Sequence, residues 1–400
     1  EILIGLVGSE MCIRDSMTDV LFQNARVYRD HAFETADVLV CGGVIDGVGA
    51  HLTAPEGCPV VDLGGRVLAP GFLDLHTHGG DGIDVNAATA EDLARIGAFF
   101  ARHGTTGWQC SILTDTEEQT LWCIGQAKQA MAAPVTGARL LGIHLEGPFL
   151  STEYKGAMPE SLLRKGDAAL FRRYQKAAGG AIHYITVSPE VEGVNEMIAE
   201  IAGEVTVAIG HSGADYDTAC RAIANGAKVC THTFNAMGLF HQHRPGMMGA
   251  VLEHDIYCEA ICDGRHLHPG TVRMLLACKG WDKVVAITDS IQAAGLPDGH
   301  YKLGVNDVVV VDGDAKLASN GVRAGSTLSQ DTALRNIMAF TGHGAEDVLP
   351  LLSENPARLL GIFDHKGSID PGKDADLVVL DDGWQVCRTI VGGVTVYQAE

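Results

Sequence analysis

The segment Asp74-Leu75-His76-Thr77-His78 places two histidines two residues apart at the end of an apolar run. Side chains of an extended chain alternate between faces, so His76 and His78 project to one side and both imidazoles can reach one metal ion. Four more apolar runs end on residues of the same kind: His144-Leu145-Glu146-Gly147-Pro148, Gly210-His211-Ser212, Thr231-His232 and Thr288-Asp289-Ser290. A single histidine at a strand end is usually structural, and a bare His-x-His pair is a weak signal. Here the pair is joined by Glu146, His211, His232 and Asp289, each at its own strand end. Nitrogen and carboxylate donors together suit cations such as Zn²⁺, Fe²⁺ or Mn²⁺, and no cysteine joins the set. A cation so held brings the pKa of bound water toward about 7 and polarises a carbonyl oxygen, the help that hydrolysis of an unreactive amide needs.

For these residues to meet, their strands must lie side by side. Eight strand-like runs occur near 68–75, 105–112, 139–145, 182–187, 205–210, 228–232, 256–262 and 283–288. Amphipathic helical patterns such as AEDLARIGAFFARHG and DYDTACRAIANG separate most of them. The alternation predicts an α/β fold, a (β/α)8 TIM-like barrel whose active site lies at the C-terminal ends of its strands. Residues 18–66 and the chain from Gly367 have another texture, short apolar runs broken by Gly and Asp turns. The expected organisation is a small β-sandwich domain formed by both chain ends, 17–66 and 367–400, with a metal-dependent barrel of 67–366 between them. The first 16 residues read as a non-native leader, since Glu10–Ser16 (EMCIRDS) has the look of translated cloning sequence and Met17 opens a sensible strand.

Composition narrows the class. With 46% hydrophobic and 20% charged residues in 400, the chain can bury a large core and is not disordered. The 29 Lys and Arg against 50 Asp and Glu give a net charge of −21, which argues against nucleic-acid binding and against docking on anionic membranes. No run approaches the roughly 18 apolar residues of a membrane span. Eleven cysteines with no Cys-x-x-Cys pair read as reduced thiols of a cytoplasmic protein. A soluble enzyme with a small-molecule substrate is the expected class.

The ordered motifs PGFLDLHTHG, GIHLEGPFL, IGHSGAD, THTFNAM and ITDS resemble those of the amidohydrolase superfamily and, within it, of the N-acetylglucosamine-6-phosphate deacetylases. The likeness runs from about Met17 to the C-terminus. It implies a homodimeric hydrolase of amino-sugar catabolism, acting on a phosphorylated amino sugar and holding one or two divalent cations per subunit, Zn or Fe. By that likeness His76 and His78 hold the first metal, and His211 with His232 the second. Glu146 is the shared or principal ligand, where most two-metal amidohydrolases use a carboxylated lysine. Asp289 matches the acid that serves as general base and also touches metal.

The same likeness marks substrate positions. Asn235 and Ala236 match residues that meet the phosphate, His266 a sugar-contacting histidine, and Ala157 a pocket-lining loop position. Arg323, Ala324 and Gly325 fall in a substrate-covering segment, with Arg323 where an apolar residue is usual. Two departures stand out. The chain reads HQHRPG from His241 where relatives read HHRxPG, so either Arg244 reaches the phosphate or His243 substitutes for it. Met158 stands where relatives commonly carry His or Gln, and it cannot donate a hydrogen bond. Three alternatives remain: the galactosamine epimer or another N-acyl hexosamine phosphate as substrate; a cyclic-amide hydrolase or deaminase, disfavoured by Glu146; and a non-catalytic assembly protein, disfavoured by the complete ligand set.

Overall fold

The computed structural model describes residues 19–400, so the leader expected at 1–16 lies outside the described residues. Eight parallel strands lie side by side in chain order. They are β1 (Phe72–Thr77), β2 (Thr105–Leu113), β3 (Arg139–Glu146), β4 (Ile182–Val187), β5 (Thr206–Ile209), β6 (Val229–Cys230), β7 (Tyr257–Ile261) and β8 (Val284–Ile287). Continuous ladders join each to the next from β1 to β8. The barrel is closed differently, by bonds from residues just past the end of β8 to β1 and the residue after it. The Asp289 amide donates to the His76 carbonyl at 2.8 Å, and the His78 amide to the Ser290 carbonyl at 2.7 Å. The Thr288 hydroxyl donates to Asp74 at 2.6 Å.

The first β–α–β unit shows how the sequence builds this arrangement. Thr89 and Asp92 form a reciprocal capping box that starts the helix Ala90–Arg102. Leu93, Ile96, Phe99 and Phe100 recur at helical spacing and are buried, the apolar stripe that seats the helix on the barrel. Gly104 then turns the chain at φ +80° into β2, with Phe72 occupying the space a Cβ would need.

The apolar run 68–75, expected as one barrel strand, divides at Gly71. Val67–Pro70 pairs antiparallel with Leu377–Leu380 and parallel with Arg26 and Val27, and β1 begins only at Phe72. A side chain at Gly71 would meet Thr106 at 2.1 Å, so the crossing from one sheet to the other needs glycine. The second sheet thus has eight strands, drawn from residues 20–70 and 377–398. Phe22, Val38, Val40, Ile45, Leu377 and Ile390 share one buried cluster, the core of this separate sheet-rich domain.

A third sheet was not foreseen. Gly299–Leu303, Asn306–Val311 and Asp314–Leu317 form a three-stranded antiparallel meander after β8. Leu303, Val308 and Leu317 pack with Leu113, Leu150, Met158 and Ile291, which ties the meander to the loops above β2 and β3. Among the described residues no helix is long and apolar enough to cross a membrane.

Candidate active site

The barrel brings all six strand-end candidates together. The Nε2 atoms of His76 and His78 lie 3.2 Å apart, and those of His211 and His232 lie 3.0 Å apart. Glu146 stands between the two pairs. Its Oε1 is 3.4 Å from His76, 3.1 Å from His211 and 3.3 Å from His232, and its Oε2 is 3.2 Å from His78. The Oδ1 of Asp289 is 3.3 Å from the His78 nitrogen and 3.7 Å from that of His76. Five of the residues form two overlapping groups able to hold a metal, His76–His78–Glu146 and Glu146–His211–His232, and Asp289 lies beside the first.

Proton positions test whether a cation fits. The Nδ1 of His78 lies 3.0 Å from the Ser111 carbonyl, and that of His211 lies 2.8 Å from the Tyr154 carbonyl. A carbonyl only accepts, so both rings donate through Nδ1 and turn Nε2 inward. His76 Nδ1 faces a Glu259 carboxylate oxygen at 3.1 Å, which selects the same tautomer. Imidazole nitrogens converging at 3.0–3.4 Å on one another and on a carboxylate call for a positive charge among them. The donor set fits a divalent cation.

Electrostatics agree. Burial opposes protonation of His76 and His78, yet the facing carboxylates outweigh it and hold both above the ordinary histidine range. Burial would likewise raise the Glu146 and Asp289 carboxyls, and the facing histidines hold both below the usual carboxylate range. The site is thus built to be stabilised by positive charge. Below it His144 is fully buried between Ser111 and Thr186 at 2.8 and 2.9 Å, and burial holds it neutral. His211, His232 and Asp289 adopt positive φ angles of 48°, 25° and 49°. Such angles are costly for residues with side chains, and they turn these three sharply off their strands toward the centre.

A cavity of about 390 Å³ opens over this cluster. Of the expected substrate residues, Ala157, Asn235, Ala236 and His266 line it, as do Arg323, Ala324 and Gly325 and the unusual Met158. His266 is held by Asp263, whose Oδ2 lies 2.7 Å from its Nδ1. Arg323 places two N–H groups on Asp314 at 2.8 and 3.1 Å, so its guanidinium is anchored to the meander. His243 and Arg244 are not among the lining residues. They sit in an exposed turn, with the Arg244 amide on the His241 carbonyl, beside Leu239 at 92% exposure and Phe240 at 57%.

Sequence reasoning missed several contributors. Tyr154 acts through its backbone carbonyl, which no side-chain pattern reveals. Lys155 lines the cavity and donates to the Met158 carbonyl at 3.0 Å. Glu259 did leave a signal, a lone acid inside the apolar run Tyr257–Ile261.

Comparison with known proteins is consistent with this geometry. Residues 67–396 match the amidohydrolase family. The chain is 40% identical over 332 residues to the N-acetylglucosamine-6-phosphate deacetylase of Bacillus subtilis, a span covering 82% of this chain and 84% of that protein. It is 34% identical over 352 residues to the N-acetylgalactosamine-6-phosphate deacetylase of Escherichia coli O157:H7, covering 88% and 93%. Among solved structures, the Pasteurella multocida N-acetylglucosamine-6-phosphate deacetylase superposes with a TM-score of 0.89 at 28% identity, over 95% of this chain and all of that one. A Mycobacterium smegmatis homologue solved with N-acetyl-D-glucosamine-6-phosphate gives 0.88 at 32% identity, with coverage of 95% and 100%.

Proposed function

The chain belongs to the amidohydrolase family, and we propose that it hydrolyses the acetamide of N-acetylglucosamine 6-phosphate to glucosamine 6-phosphate and acetate. The observation that carries this reading is the convergence of four imidazole nitrogens on Glu146 with the Asp289 carboxylate beside them. His76, His78, Glu146, His211 and His232 would hold a divalent cation, Zn or Fe, one or two per subunit, which would supply acidification of water and polarisation of the amide carbonyl. Asp289 takes the proton from water as its oxygen attacks the carbonyl carbon. It then hands that proton to the leaving nitrogen, which could not depart as an amide anion. The buried floor of His144, Ser111 and Thr186 keeps bulk water from entering below.

Asn235, Ala236 and His266 are placed to hold the sugar phosphate, and Ala157, Arg323, Ala324 and Gly325 to enclose it. His243 and Arg244 face solvent in one chain, and the neighbouring Leu239 and Phe240 are exposed. We therefore place this turn at a homodimer contact, where it supplies the phosphate clamp to a neighbouring copy. The galactosamine epimer is the second reading, favoured by the likeness to the Escherichia coli enzyme. Buried thiols such as Cys110, Cys230 and Cys258 suit a reducing cytoplasm. The test is a deacetylation screen over N-acetyl sugars of both epimers, with and without the 6-phosphate, alongside elemental analysis. Equal rates on phosphorylated and free sugars would overturn the phosphate assignment, and no acetate from any substrate would overturn the activity.

A further inference from the structure

We infer that Glu259 is a positioning residue for the metal centre, fixing His76 with its Nε2 toward the cation and setting a negative charge behind that ring. This goes beyond the ligand set and rests on the divalent-metal reading of the site. Glu259 lies in the middle of β7 and is fully buried. A carboxylate is costly to keep there unless several donors meet it. Its Oε2 accepts from the His76 ring at 3.1 Å and from the His232 amide at 2.9 Å, and its Oε1 accepts from the Tyr184 hydroxyl at 2.6 Å. One oxygen thus joins a ring from the first ligand group to the backbone of a ligand in the second.

The partners of the other rings show why this one matters. His78 and His211 are oriented by neutral backbone carbonyls, and the Nδ1 of His232 is buried with no partner among the described residues. His76 is the ring backed by a side-chain carboxylate. A carboxylate behind a ligating imidazole fixes its tautomer and makes the opposite nitrogen a stronger donor, and losing it typically costs about 10–100-fold in metal affinity. The charge of Glu259 therefore acts on the His76–His78 side, while its geometry serves both sides.

The test titrates Zn²⁺ into the chelator-stripped chain against a chromophoric chelator. Glu259→Gln is nearly isosteric: its amide oxygen can accept from His76 and His232, and its NH₂ can face the Tyr184 oxygen. Expected is a loss of about 10–100-fold for the equivalent that His76→Ala abolishes, with the equivalent that His232→Ala abolishes within about threefold of wild type. Tyr184→Phe keeps the charge and loses one orienting bond, and should weaken the same equivalent by less than about tenfold. Glu259→Gln binding both equivalents as tightly as wild type, or weakening both equally, would overturn the inference. Should Glu259→Gln fail to fold by circular dichroism, Tyr184→Phe decides, and unchanged binding there overturns it. If wild type binds a single equivalent that His76→Ala keeps, or His76→Ala keeps both, His76 holds no metal and this inference falls, whereas no binding by wild type overturns the metal reading itself.

Discussion

The amide of Asp289 donates to the carbonyl of His76 at 2.8 Å, so the proposed general base and a proposed metal ligand are joined backbone to backbone across the barrel seam. Neither can shift along its strand without the other. Asp74 adds to the lock by accepting from Thr288. The site's geometry is therefore set partly by how the barrel closes.

Replacing Asp289 with Asn should lower kcat by about 10²–10⁴-fold. The metal should stay, because the four histidines and Glu146 remain in place. Turnover and elemental analysis on the same sample check both halves, and near-normal turnover would remove Asp289 from the chemistry.

Glu146 belongs to both ligand groups, so Glu146→Ala should empty both rather than one. Inductively coupled plasma analysis after dialysis should find almost no metal. Full metal content would contradict the shared-ligand assignment.

If the exposed turn clamps phosphate in a neighbouring copy, Arg244→Ala should cut the preference for 6-phosphorylated over free sugar by about 10–100-fold, the worth of a charged hydrogen bond. A paired Leu239→Ser and Phe240→Ser variant should lose the same preference and elute as a monomer by light scattering. A preference that falls only in His243→Ala would transfer the role to that histidine.

Asp331 ties the end of the first barrel helix to the start of Gln330–Thr341. It lies 3.0 Å from the ring of His103 and accepts from Arg335 at 3.0 Å. Burial would raise this carboxyl, yet His103, Ser329 and Arg335 bring it down to about 2. A carboxylate depressed in the folded state stabilises the fold above its unfolded pKa near 4, and that stability drains away as pH falls from about 4 toward 2. Asp331→Asn should cost about 2 kcal/mol at pH 7 and flatten the acid limb of a urea-melt series. An unchanged acid limb would show that these contacts carry no net charge coupling.

The barrel and the convergence of its candidate ligands were legible because their signals are local. A His-x-His pair at a strand end, or Glu146 closing an apolar run, declares itself within a few residues. What escaped depended on distant partners. The break at Gly71 sits inside a run apolar on both sides, and Thr106, which enforces it, lies a helix away. Glu259 looked like one acid in a strand until His76, Tyr184 and His232 were brought around it. The meander of 299–317 carried alternation and Gly turns of its own, inside the span assigned whole to the barrel.

The pairing of Val67–Pro70 with Leu377–Leu380 has a consequence for synthesis. A ribosome releases the first of these strands long before the second, and an unpaired strand edge is sticky while it waits. The early sheet therefore emerges with one flank uncovered through translation of the whole barrel. A chaperone that holds unpaired edges should raise the yield of this protein more than that of a barrel whose sheets close in chain order, and slowing translation should lower it.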